Sequence, residues 1–507
     1  MTAGLDAEPL EAARLLGTAQ PLATARAWRG PGFGIVWFAI GFLAGCKRLG
    51  DNSFLTHLAT GRIIRESGVP TVDPYSFTRP GTPWVVQSWL ASWWNDVLVS
   101  LSGLGLLRWF VGLTVGTMAW LTWRLTARAD GLLSRCIVMA AAGVVGVSWW
   151  GERPQMLAFV FLAVALLVVV EYRSALWLVP LFAVWVNIHG SWPVAAVLLG
   201  LVVIGSGAVT GEEVATSRAR QLAERSVGVL VAAGVGVLAG AFIGPLGWSA
   251  IRFPIDMARR SEQLAYVLEW RSPSISDPEV WVILAMAGVV GHGVVRAGAR
   301  NLQAWRWAPL TLVALGSSLV ASRNLAVAAI ALVPAVADSI PRLGTIEVPV
   351  TAGTPGAVRR VTALCAVVVA VVCAGLVAAT PPHIDLTPYP TAVVDALDEQ
   401  RLVAREGVRL AAVDWVGNYL TWRYGAEARV FMDDRAEVYD LSLYRDHGAL
   451  LWDGEDWREI LDRRDINVVV WEDSETLTKR LAADDGWRIV STGGGFTAFC
   501  RIGSLAC

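Results

Sequence analysis

A single acidic residue stands at the point where the first apolar stretch of the chain ends. Asp51 follows the stretch 33–46 almost at once, in the segment GDNSFLTHLATGR, and His57 lies six residues further on. A carboxylate at a membrane boundary is partly desolvated, which makes it a better proton acceptor. Asp51 is therefore a candidate general base, and His57 is a candidate for substrate binding. The alternative is that Asp51 only caps the following helix, a position for which Asn52 and Ser53 compete.

Two arginines occur in short turns between later apolar stretches. Arg153 belongs to the turn ERPQ, and Arg323 lies with Asn324 between two apolar runs. An arginine can bind two phosphate oxygens at once, which suits the headgroup of a phospholipid. An arginine in such a position is costly unless it is paired or bound to an anion. Both are candidates for anion binding, although Arg153 could equally extend its side chain to the membrane interface.

Other polar side chains that could bind a substrate occur in the same kind of turn. A lone histidine is more often structural than catalytic, and no HxxxH or HExxH spacing predicts a metal site. Asp73-Pro74 is also a good turn starter, which is the alternative for that acid. The candidates in these turns are Asp73, Tyr75, Gln87, Gln155, Asn187, His189, Glu269 and Asn324.

The C-terminal part of the chain contains two segments dense in acids and aromatic residues, DWVGNYLTWRYG and VFMDDRAEVY. Their candidates are Asp414, Asp433, Asp434 and Arg435. Carboxylates beside aromatic rings are typical of sugar-binding sites, since hydroxyls form hydrogen bonds while rings cover the apolar faces of the sugar. A solvated acidic loop is the alternative for 433–435.

The elements that must position these residues are predicted to be membrane helices, each of which needs about 20 mostly apolar residues. Counted from a cytoplasmic N-terminus, every short loop on the inner side contains arginine, as the positive-inside rule expects. All the candidate residues then fall on the outer side. The predicted spans are 33–46, 104–123, 132–150, 154–170, 175–188, 192–210, 226–247, 279–295, 307–321, 323–340 and 361–379.

The predicted fold is a polytopic α-helical membrane protein of about eleven spans with an extracytoplasmic α/β domain. We expect a cytoplasmic segment at 1–30, a membrane domain at 31–379 with a first outer loop at 47–103, and the outer domain at 380–507. Two interfacial helices, 52–67 and 85–101, are expected in the first outer loop.

Alternating strands and helices in the outer domain predict a partly parallel sheet with functional groups at the C-terminal ends of its strands. The predicted strands are 408–413, 428–432, 466–471, 487–491 and 496–502, and the predicted helices are 416–424, 457–464 and 475–483.

Composition excludes some classes of function. The chain is 55% hydrophobic and 17% charged, with a net charge of −1, so a nucleic-acid partner, which requires a basic excess, is not expected. The six cysteines lack the spacing of a zinc site. Cys46, Cys136, Cys365 and Cys373 lie in apolar runs and are expected to be core residues. Cys500 and Cys507 could form a disulfide if the C-terminal domain is extracytoplasmic.

Taken together, these features resemble the GT-C superfamily of polytopic membrane glycosyltransferases. The resemblance rests on the acid that follows the first span and opens a long outer loop with interfacial helices, on the membrane body of about eleven spans, and on the outer α/β domain. It is closest to bacterial members with HLATGR, ERPQ, N-x-HG and D-x-R-A motifs, and it covers most of residues 45–505. DWVGNYL is only loosely similar to the WWDYG region of oligosaccharyltransferase catalytic subunits. It differs in order and lacks the adjacent tryptophans, so a peptide-binding role is not carried over.

The resemblance implies that Asp51 deprotonates an acceptor hydroxyl, which displaces polyprenyl phosphate from the sugar with inversion. Arg153 and Arg323 would neutralise the departing phosphate, while His189 and Glu269 would line the cavity. The donor would be a polyprenyl-phosphate-linked sugar, the acceptor an extracytoplasmic glycan, lipid or protein, and the location the bacterial plasma membrane. Some members bind a divalent cation, Mg²⁺ or Mn²⁺. Asp51 and Asp73 could supply two ligands, but no spacing demands it and no metal residue is assigned.

Two other functions fit the sequence. The chain could be a non-catalytic membrane scaffold or assembly protein whose outer domain binds a partner. A transporter of lipid-linked sugars is disfavoured, because transporters usually bind at the bilayer midplane between internal repeats, and neither feature occurs here. An enzyme is distinguished from a scaffold by whether Asp51, Arg153, His189 and Arg323 converge on one cavity that is open to lipid.

Overall fold

The computed structural model describes residues 31–171, 173–207, 215–298, 302–343, 355–452, 454–505 and 507. The predicted cytoplasmic segment 1–30 lies outside the described residues. A helical part comes first in the chain, and a small sheet with flanking helices follows it. The helices of the first part are α1 (Pro31–Gly45), α2 (Asn52–Ser67), α3 (Trp89–Leu125), α4 (Leu132–Gly146), α5 (Gln155–Val170), α6 (Leu178–Ile188), α7 (Trp192–Gly207), α8 (Ala215–Ile243), α9 (Trp248–Ala258), α10 (Pro278–Ala297), α11 (Ala308–Val320), α12 (Asn324–Ser339) and α13 (Pro355–Ala378).

Each predicted apolar stretch overlaps one of these helices, but the count of eleven spans is not confirmed. Among the described residues, three helices are long and apolar enough to cross a membrane. A fourth span results if α8 and α9, which meet at 112°, are counted as one. Several of the other apolar helices are shorter, and α5 and α12 are largely buried among their neighbours. Their apolar sequences satisfy helix packing as much as contact with lipid, which is why hydropathy alone does not fix the span count.

Small residues allow α1 and α3 to pack closely. A Cβ atom added at Gly116 would lie 2.9 Å from the carbonyl oxygen of Phe38, and one added at Gly45 would lie 2.9 Å from the Cα atom of Gly112. Small residues at one-turn intervals let the backbones of membrane helices approach in this way. The close contact fixes the C-terminal end of α1, from which the chain continues directly to Asp51.

The second predicted interfacial helix and the second predicted span form one element, α3, which is broken between them. Ser102 and Gly103 have non-helical backbone angles, with φ of 69° and ψ of −168° at Gly103. This combination is essentially restricted to glycine, because a Cβ atom would clash. The N-terminal segment of α3, before Ser102, therefore runs in a different direction from the rest of the helix and packs beside α2, with Ser92 next to Gly61.

The C-terminal part contains a four-stranded sheet in the order β1-β2-β4-β3. Strand β1 pairs with β2 in parallel, and the other two pairings are antiparallel. The elements are α14 (Thr391–Glu399), β1 (Leu410–Ala412), α15 (Asp414–Tyr424), α16 (Leu441–Leu451), α17 (Trp457–Arg463), β2 (Val468–Glu472), α18 (Thr476–Ala482), β3 (Trp487–Gly493) and β4 (Phe496–Arg501). A disulfide joins Cys500 to Cys507, while Cys46 and Cys373 are buried free thiols.

Two parts of the predicted outer domain were wrong. The predicted strand 428–432 is not a strand, and the sequence did not predict α14 or α16. Val430 instead makes isolated bridges to Leu410 and to Ser76 of the first outer loop. The apolar residues around Val430 are buried by that loop and not by pairing within the sheet. Their composition is therefore that of a buried strand, although they form only isolated bridges.

The first outer loop and the C-terminal part share one apolar core. Leu55 and Tyr75 of the loop pack in the same cluster as Val430 and the sheet residues. Backbone bonds reinforce this contact: the Val430 N–H donates to the Tyr75 carbonyl at 2.9 Å, and the Phe77 N–H donates to the Val430 carbonyl at 3.1 Å. The C-terminal residues are consequently held in a fixed position over α2 and Asp51.

Candidate active site

Asp51 both caps α2 and forms an ion pair. One carboxylate oxygen accepts a hydrogen bond from the Phe54 N–H at 3.3 Å, which is the capping role that the sequence offered as the alternative. The other oxygen accepts from Nε of Arg153. The Asp51 side chain is 21% exposed, so its carboxylate remains open on one side. Capping and a chemical role are therefore compatible in this arrangement.

Arg153 is bound by three side chains. Nη1 pairs with the carboxylate of Glu269, and Nη2 donates to Oδ1 of Asn52 at 3.2 Å. Burial lowers the pKa of Arg153, but the carboxylates of Asp51 and Glu269 outweigh burial and hold the pKa above its ordinary value. Arg153 thus connects Asp51 to the loop that contains Glu269.

The sequence analysis missed Glu152, the neighbour of Arg153. Its Oε1 accepts hydrogen bonds from the backbone N–H groups of Gly50, at 2.6 Å, and Asp51, at 2.8 Å. Burial raises the pKa of Glu152. One turn therefore holds Asp51 twice, through its backbone by Glu152 and through its side chain by Arg153. The signal in the sequence was an acid in the ERPQ turn, directly at a predicted membrane boundary.

Arg323 has an environment opposite to that of Arg153. Its guanidinium lies 4.5 Å from the ring centroid of Trp270, and its backbone N–H donates to the Glu269 carbonyl at 3.1 Å. Among the described residues, its side chain makes neither an ion pair nor a hydrogen bond. Burial lowers the pKa of Arg323, Glu269 opposes this, and Arg153 adds to it. Since arginine stays protonated in proteins, this is a half-buried positive charge available to an anion.

Two neutral histidines lie near these arginines. Nδ1 of His57 is 2.8 Å from the Ser92 hydroxyl, and Nδ1 of His189 is 2.9 Å from the Ser191 hydroxyl. Burial, assisted by Arg153, lowers the pKa of His57 to about 4. Burial, assisted by Arg323 and His57, lowers the pKa of His189 to about 3. Both imidazoles are uncharged at neutral pH and can serve as hydrogen-bond partners without adding charge.

Asp434 approaches the same region from the C-terminal part. Its backbone N–H donates to Oδ1 of Asn418 at 3.2 Å, and the hydroxyl of Thr56 in α2 donates to the same oxygen at 2.8 Å. Burial, with the neighbouring Asp433, raises the pKa of Asp434 to about 7. The charge of Asp434 also contributes to the raised pKa of Arg153.

Several predicted site residues lie elsewhere. Nη1 of Arg435 is 2.7 Å from the Asp73 carboxylate, and Nη2 is 2.8 Å from the Asp433 carboxylate. The guanidinium also lies 4.7 Å from the ring centroid of Tyr75. This buried ion cluster, formed by Asp73, Asp433 and Arg435, connects the first outer loop to the C-terminal part. Its two carboxylates share one guanidinium, so each buried charge has a bonded partner, which is the arrangement expected of a structural element.

The remaining candidates form hydrogen bonds within the protein, are buried, or begin a helix. Oε1 of Gln87 accepts from the Gly190 N–H at 2.6 Å, and Oδ1 of Asn187 accepts from Nε1 of Trp89 at 2.8 Å. Nδ2 of Asn324 donates to the Ser317 carbonyl at 3.0 Å. Gln155 is buried at the start of α5, and Asp414 begins α15.

Asp51 and Asp73 do not fit as joint ligands of a divalent cation. Each carboxylate is neutralised by a different arginine, Arg153 for Asp51 and Arg435 for Asp73. Within the described part of the chain, no group of three or more His, Cys, Asp and Glu side chains could hold a metal ion. Asp51 and Asp73 are therefore not assigned as ligands of one metal ion.

A small open cleft lies beside the turn that contains Glu152 and Arg153. Its walls are mainly apolar, and its polar lining residues are Asn95, Thr114, Glu152 and Arg153. The other lining residues are Ala91, Phe110, Val111, Gly151, Pro154, Met156 and Leu157. The arginine that binds Asp51 is thus also at the edge of an apolar space.

Comparison with known proteins is informative at the level of structure. No family model matches the chain, and no curated protein does. The crystal structure of the oligosaccharyltransferase of Archaeoglobus fulgidus in its apo form matches with a TM-score of 0.51 and 12% identity. The match covers 88% of this chain and 70% of that one. The chain has a GT-C-like fold.

A second structure of the archaeal oligosaccharyltransferase AglB from Archaeoglobus fulgidus, in complex with an inhibitory peptide and a dolichol-phosphate, has a TM-score of 0.48. Its identity is 11%, with 93% of this chain and 74% of that one covered. The GT-C-like fold agrees with the resemblance that the sequence motifs indicated. Together with the apolar helices, this fold indicates a membrane protein.

Proposed function

We propose that this chain transfers a sugar, with inversion, from a polyprenyl-phosphate-linked donor to an extracytoplasmic acceptor. Asp51 is the general base, and the protein works in the bacterial plasma membrane with its N-terminus in the cytoplasm and its C-terminal domain outside. The acceptor is a glycan, lipid or protein of the cell envelope.

The observation that carries this proposal is the convergence of charged groups from four separate segments. Asp51, Arg153 and Glu269 are in direct contact. The charges of Arg153 and Glu269 both act on the pKa of Arg323. His189 belongs to the same group through its electrostatic interaction with Arg323. A protein that used these residues only for packing would have no reason to leave the guanidinium of Arg323 with an aromatic ring but no carboxylate partner among the described residues.

In the proposed reaction, the oxygen of the acceptor hydroxyl attacks the anomeric carbon while the bond from that carbon to the phosphate oxygen breaks. The hydroxyl proton passes to a carboxylate, and the departing electron pair remains on polyprenyl phosphate. Negative charge therefore grows on the phosphate, where a fixed positive charge stabilises the transition state most. In this proposal, Arg323 supplies that positive charge directly. Arg153 can supply it only if its guanidinium gives up its ion pairs with Asp51 and Glu269.

A non-catalytic scaffold is the second candidate, and the Asp51–Arg153 pair favours it. A carboxylate that caps a helix and pairs with an arginine has a sufficient structural reason to be present. The two functions predict different results for Asp51→Asn, which removes the charge of the side chain and keeps its shape. Only an enzyme has a rate of sugar transfer that this substitution can abolish.

The experiment is sugar transfer by the purified protein in lipid nanodiscs. The donors are a panel of polyprenyl phosphates that carry different radiolabelled hexoses and pentoses, and a cell-envelope extract supplies the acceptor. Release of polyprenyl phosphate is measured for the wild type, for Asp51→Asn, and for Asp485→Asn as an exposed control of the same chemistry. We expect transfer by the wild type and the control, and its loss in Asp51→Asn with an unchanged unfolding temperature. No transfer with any donor would leave the scaffold as the function.

Binding is tested separately with polyprenyl phosphate alone. Arg323→Ala should abolish the rise in unfolding temperature that this lipid phosphate produces, because it removes a guanidinium that has no carboxylate partner among the described residues. Trp270→Leu, which removes only the ring beneath it, should reduce the rise. An unchanged rise in Arg323→Ala would show that the phosphate binds elsewhere.

A further inference from the structure

The helix α9 begins at a sharp turn in the chain. It meets the end of α8 at 112°, and the two helices together are apolar enough for one span. Helix α9 therefore either enters the bilayer as half of a broken span or lies along its surface. Its charges decide between the two, because Arg252 and Asp256 would have to enter the hydrocarbon region, where charged side chains are costly. The sequence of α9 favours a position along the surface.

One face of α9 packs on the protein. Ala250 is buried, and Phe253 is half-buried against the turn at Gly190. A Cβ atom added at Gly190 would lie 3.3 Å from Cδ1 of the Phe253 ring. This turn directly follows His189, so α9 lies beside the candidate active site. The packed face also fixes which side chains of α9 point away from the protein.

The opposite face of α9 combines large apolar side chains with arginines. Trp248 and Ile255 are 55% and 54% exposed, and the side chains of Arg252 and Arg259 are 60% and 74% exposed. Successive members of this set are four, three and four residues apart, which places them on one side of a helix. Tryptophan favours the headgroup level of a bilayer, and arginine binds phosphate oxygens. This face therefore has the composition of an interfacial helix.

One acid lies among these arginines. The Asp256 carboxylate is 3.9 Å from Nε of Arg252 and 3.8 Å from Nη1 of Arg259. Exposed ion pairs at such distances are weak, so both guanidiniums keep donors for another anion. Two arginines and one acid also leave a net charge of +1 on this face. The charge complements an anionic surface.

We infer that α9 lies in the plane of the membrane and binds the anionic phospholipids of the leaflet in which it lies. Its apolar side chains enter the boundary of the acyl chains, while its guanidiniums bind phosphate oxygens of neighbouring headgroups. In the orientation of the proposed function this is the outer leaflet. The binding side chains are Trp248, Arg252, Ile255 and Arg259.

The segment after α9 connects this surface to the candidate active site. Nη1 of Arg260 donates to the backbone carbonyl of Glu437 in the C-terminal part at 2.8 Å. Further along the same segment, Glu269 pairs with Arg153. Helix α9 thus attaches to the bilayer the segment that holds both the C-terminal part and an arginine of the site.

Hydrogen exchange of α9 tests this inference without sugar transfer, so its result is independent of the proposed function. The whole protein is placed in nanodiscs of phosphatidylcholine, with or without phosphatidylglycerol, and mass spectrometry follows exchange in peptides covering 248–259. One net positive charge near an anionic surface should slow local opening about fivefold. We therefore expect exchange about fivefold slower with phosphatidylglycerol, and equal exchange in the two kinds of disc would overturn the inference.

Charge variants test whether the arginines cause this difference. The double substitution Arg252→Gln and Arg259→Gln should abolish the difference between the discs, whereas Arg405→Gln, at an exposed position of the C-terminal part, should keep it. Asp256→Asn should increase the difference to about 30-fold, because it leaves two uncompensated positive charges. A double variant that keeps the full difference would overturn the inference. If that variant does not fold, Asp256→Asn decides, and a difference no larger than that of the wild type would refute it.

Two further measurements separate insertion from charge, and lipid from free phosphate. Trp248→Ala should speed exchange of α9 in both kinds of disc, because the indole ring no longer enters the bilayer. Unchanged exchange in both would overturn the position in the membrane plane. Inorganic phosphate added to discs of phosphatidylcholine should leave exchange unchanged. A slowing equal to that with phosphatidylglycerol would show that a lipid surface is not what this face binds.

Discussion

The buried ion cluster gives the sharpest prediction about how the C-terminal part is attached. In Arg435→Met the carboxylates of Asp73 and Asp433, both fully buried, lose the guanidinium that neutralises them. Removing one partner of a buried ion pair costs about 3–5 kcal/mol, because it leaves an uncompensated buried charge. Here two carboxylates share one partner, so we expect a loss at the upper end of that range.

Hydrogen exchange measures this loss at the contact itself. The N–H groups of Phe77 and Val430 bond across the junction between the first outer loop and the C-terminal part. A loss of about 3–5 kcal/mol corresponds to exchange faster by about two to three and a half orders of magnitude. Mass spectrometry of peptides covering 75–79 and 428–432 reports it.

An exposed ion pair across the same junction supplies the control. Arg79 and Asp440 are 2.7 Å apart, with side chains 33% and 44% exposed. Arg79→Ala should cost less than about 1 kcal/mol and change exchange by less than about tenfold. Equal effects of the two substitutions would refute the argument that burial makes the Arg435 cluster the main attachment.

Three further predictions concern single residues. Glu152→Gln should lower the rate of sugar transfer about tenfold with little change in unfolding temperature. The reason is that the charge-assisted hydrogen bonds from the Gly50 and Asp51 N–H groups become neutral ones. A wild-type rate in this variant would remove Glu152 from the site. Gly103→Ala should cost about 1–3 kcal/mol in thermal unfolding, because the backbone at Gly103 is restricted to glycine. Cys507→Ser opens a loop with a sequence separation of seven residues, so denaturant unfolding should show a loss of about 2 kcal/mol, and an unchanged midpoint would contradict it.

The sequence predicted the helices of the first part and the polar turns between them, because hydropathy and arginine positions are local signals. It could not predict the span count, since α5 and α12 are apolar for packing reasons as much as for lipid. It also could not distinguish Arg153 from Arg323, which carry the same charge in similar turns. Only their partners differ, carboxylates for one and an aromatic ring for the other, and those partners come from distant segments.

The same limit applied to the acids. Asp433 and Asp434 are adjacent in the sequence, but Asp433 pairs with Arg435, whereas the Asp434 side chain makes no ion pair among the described residues. Asp73 was predicted as a substrate residue, and it lies instead in the buried ion cluster. What decides each role is whether an arginine comes within bonding distance, and that depends on how the first outer loop packs against the C-terminal part.

On the proposed function, the two arginines predict an order of events. Among the described residues, Arg153 is engaged by two carboxylates and Arg323 by none, so we expect an incoming phosphate to bind Arg323 first, at the lower electrostatic cost. A phosphate bound there would add negative charge near Arg153 and weaken its preference for Asp51 and Glu269. Lys at position 323 keeps the charge but loses the flat contact with Trp270 and the paired donors of a guanidinium. Arg323→Lys should therefore keep part of the lipid-phosphate binding and lose more of the transfer rate, and equal losses in both would argue against this order.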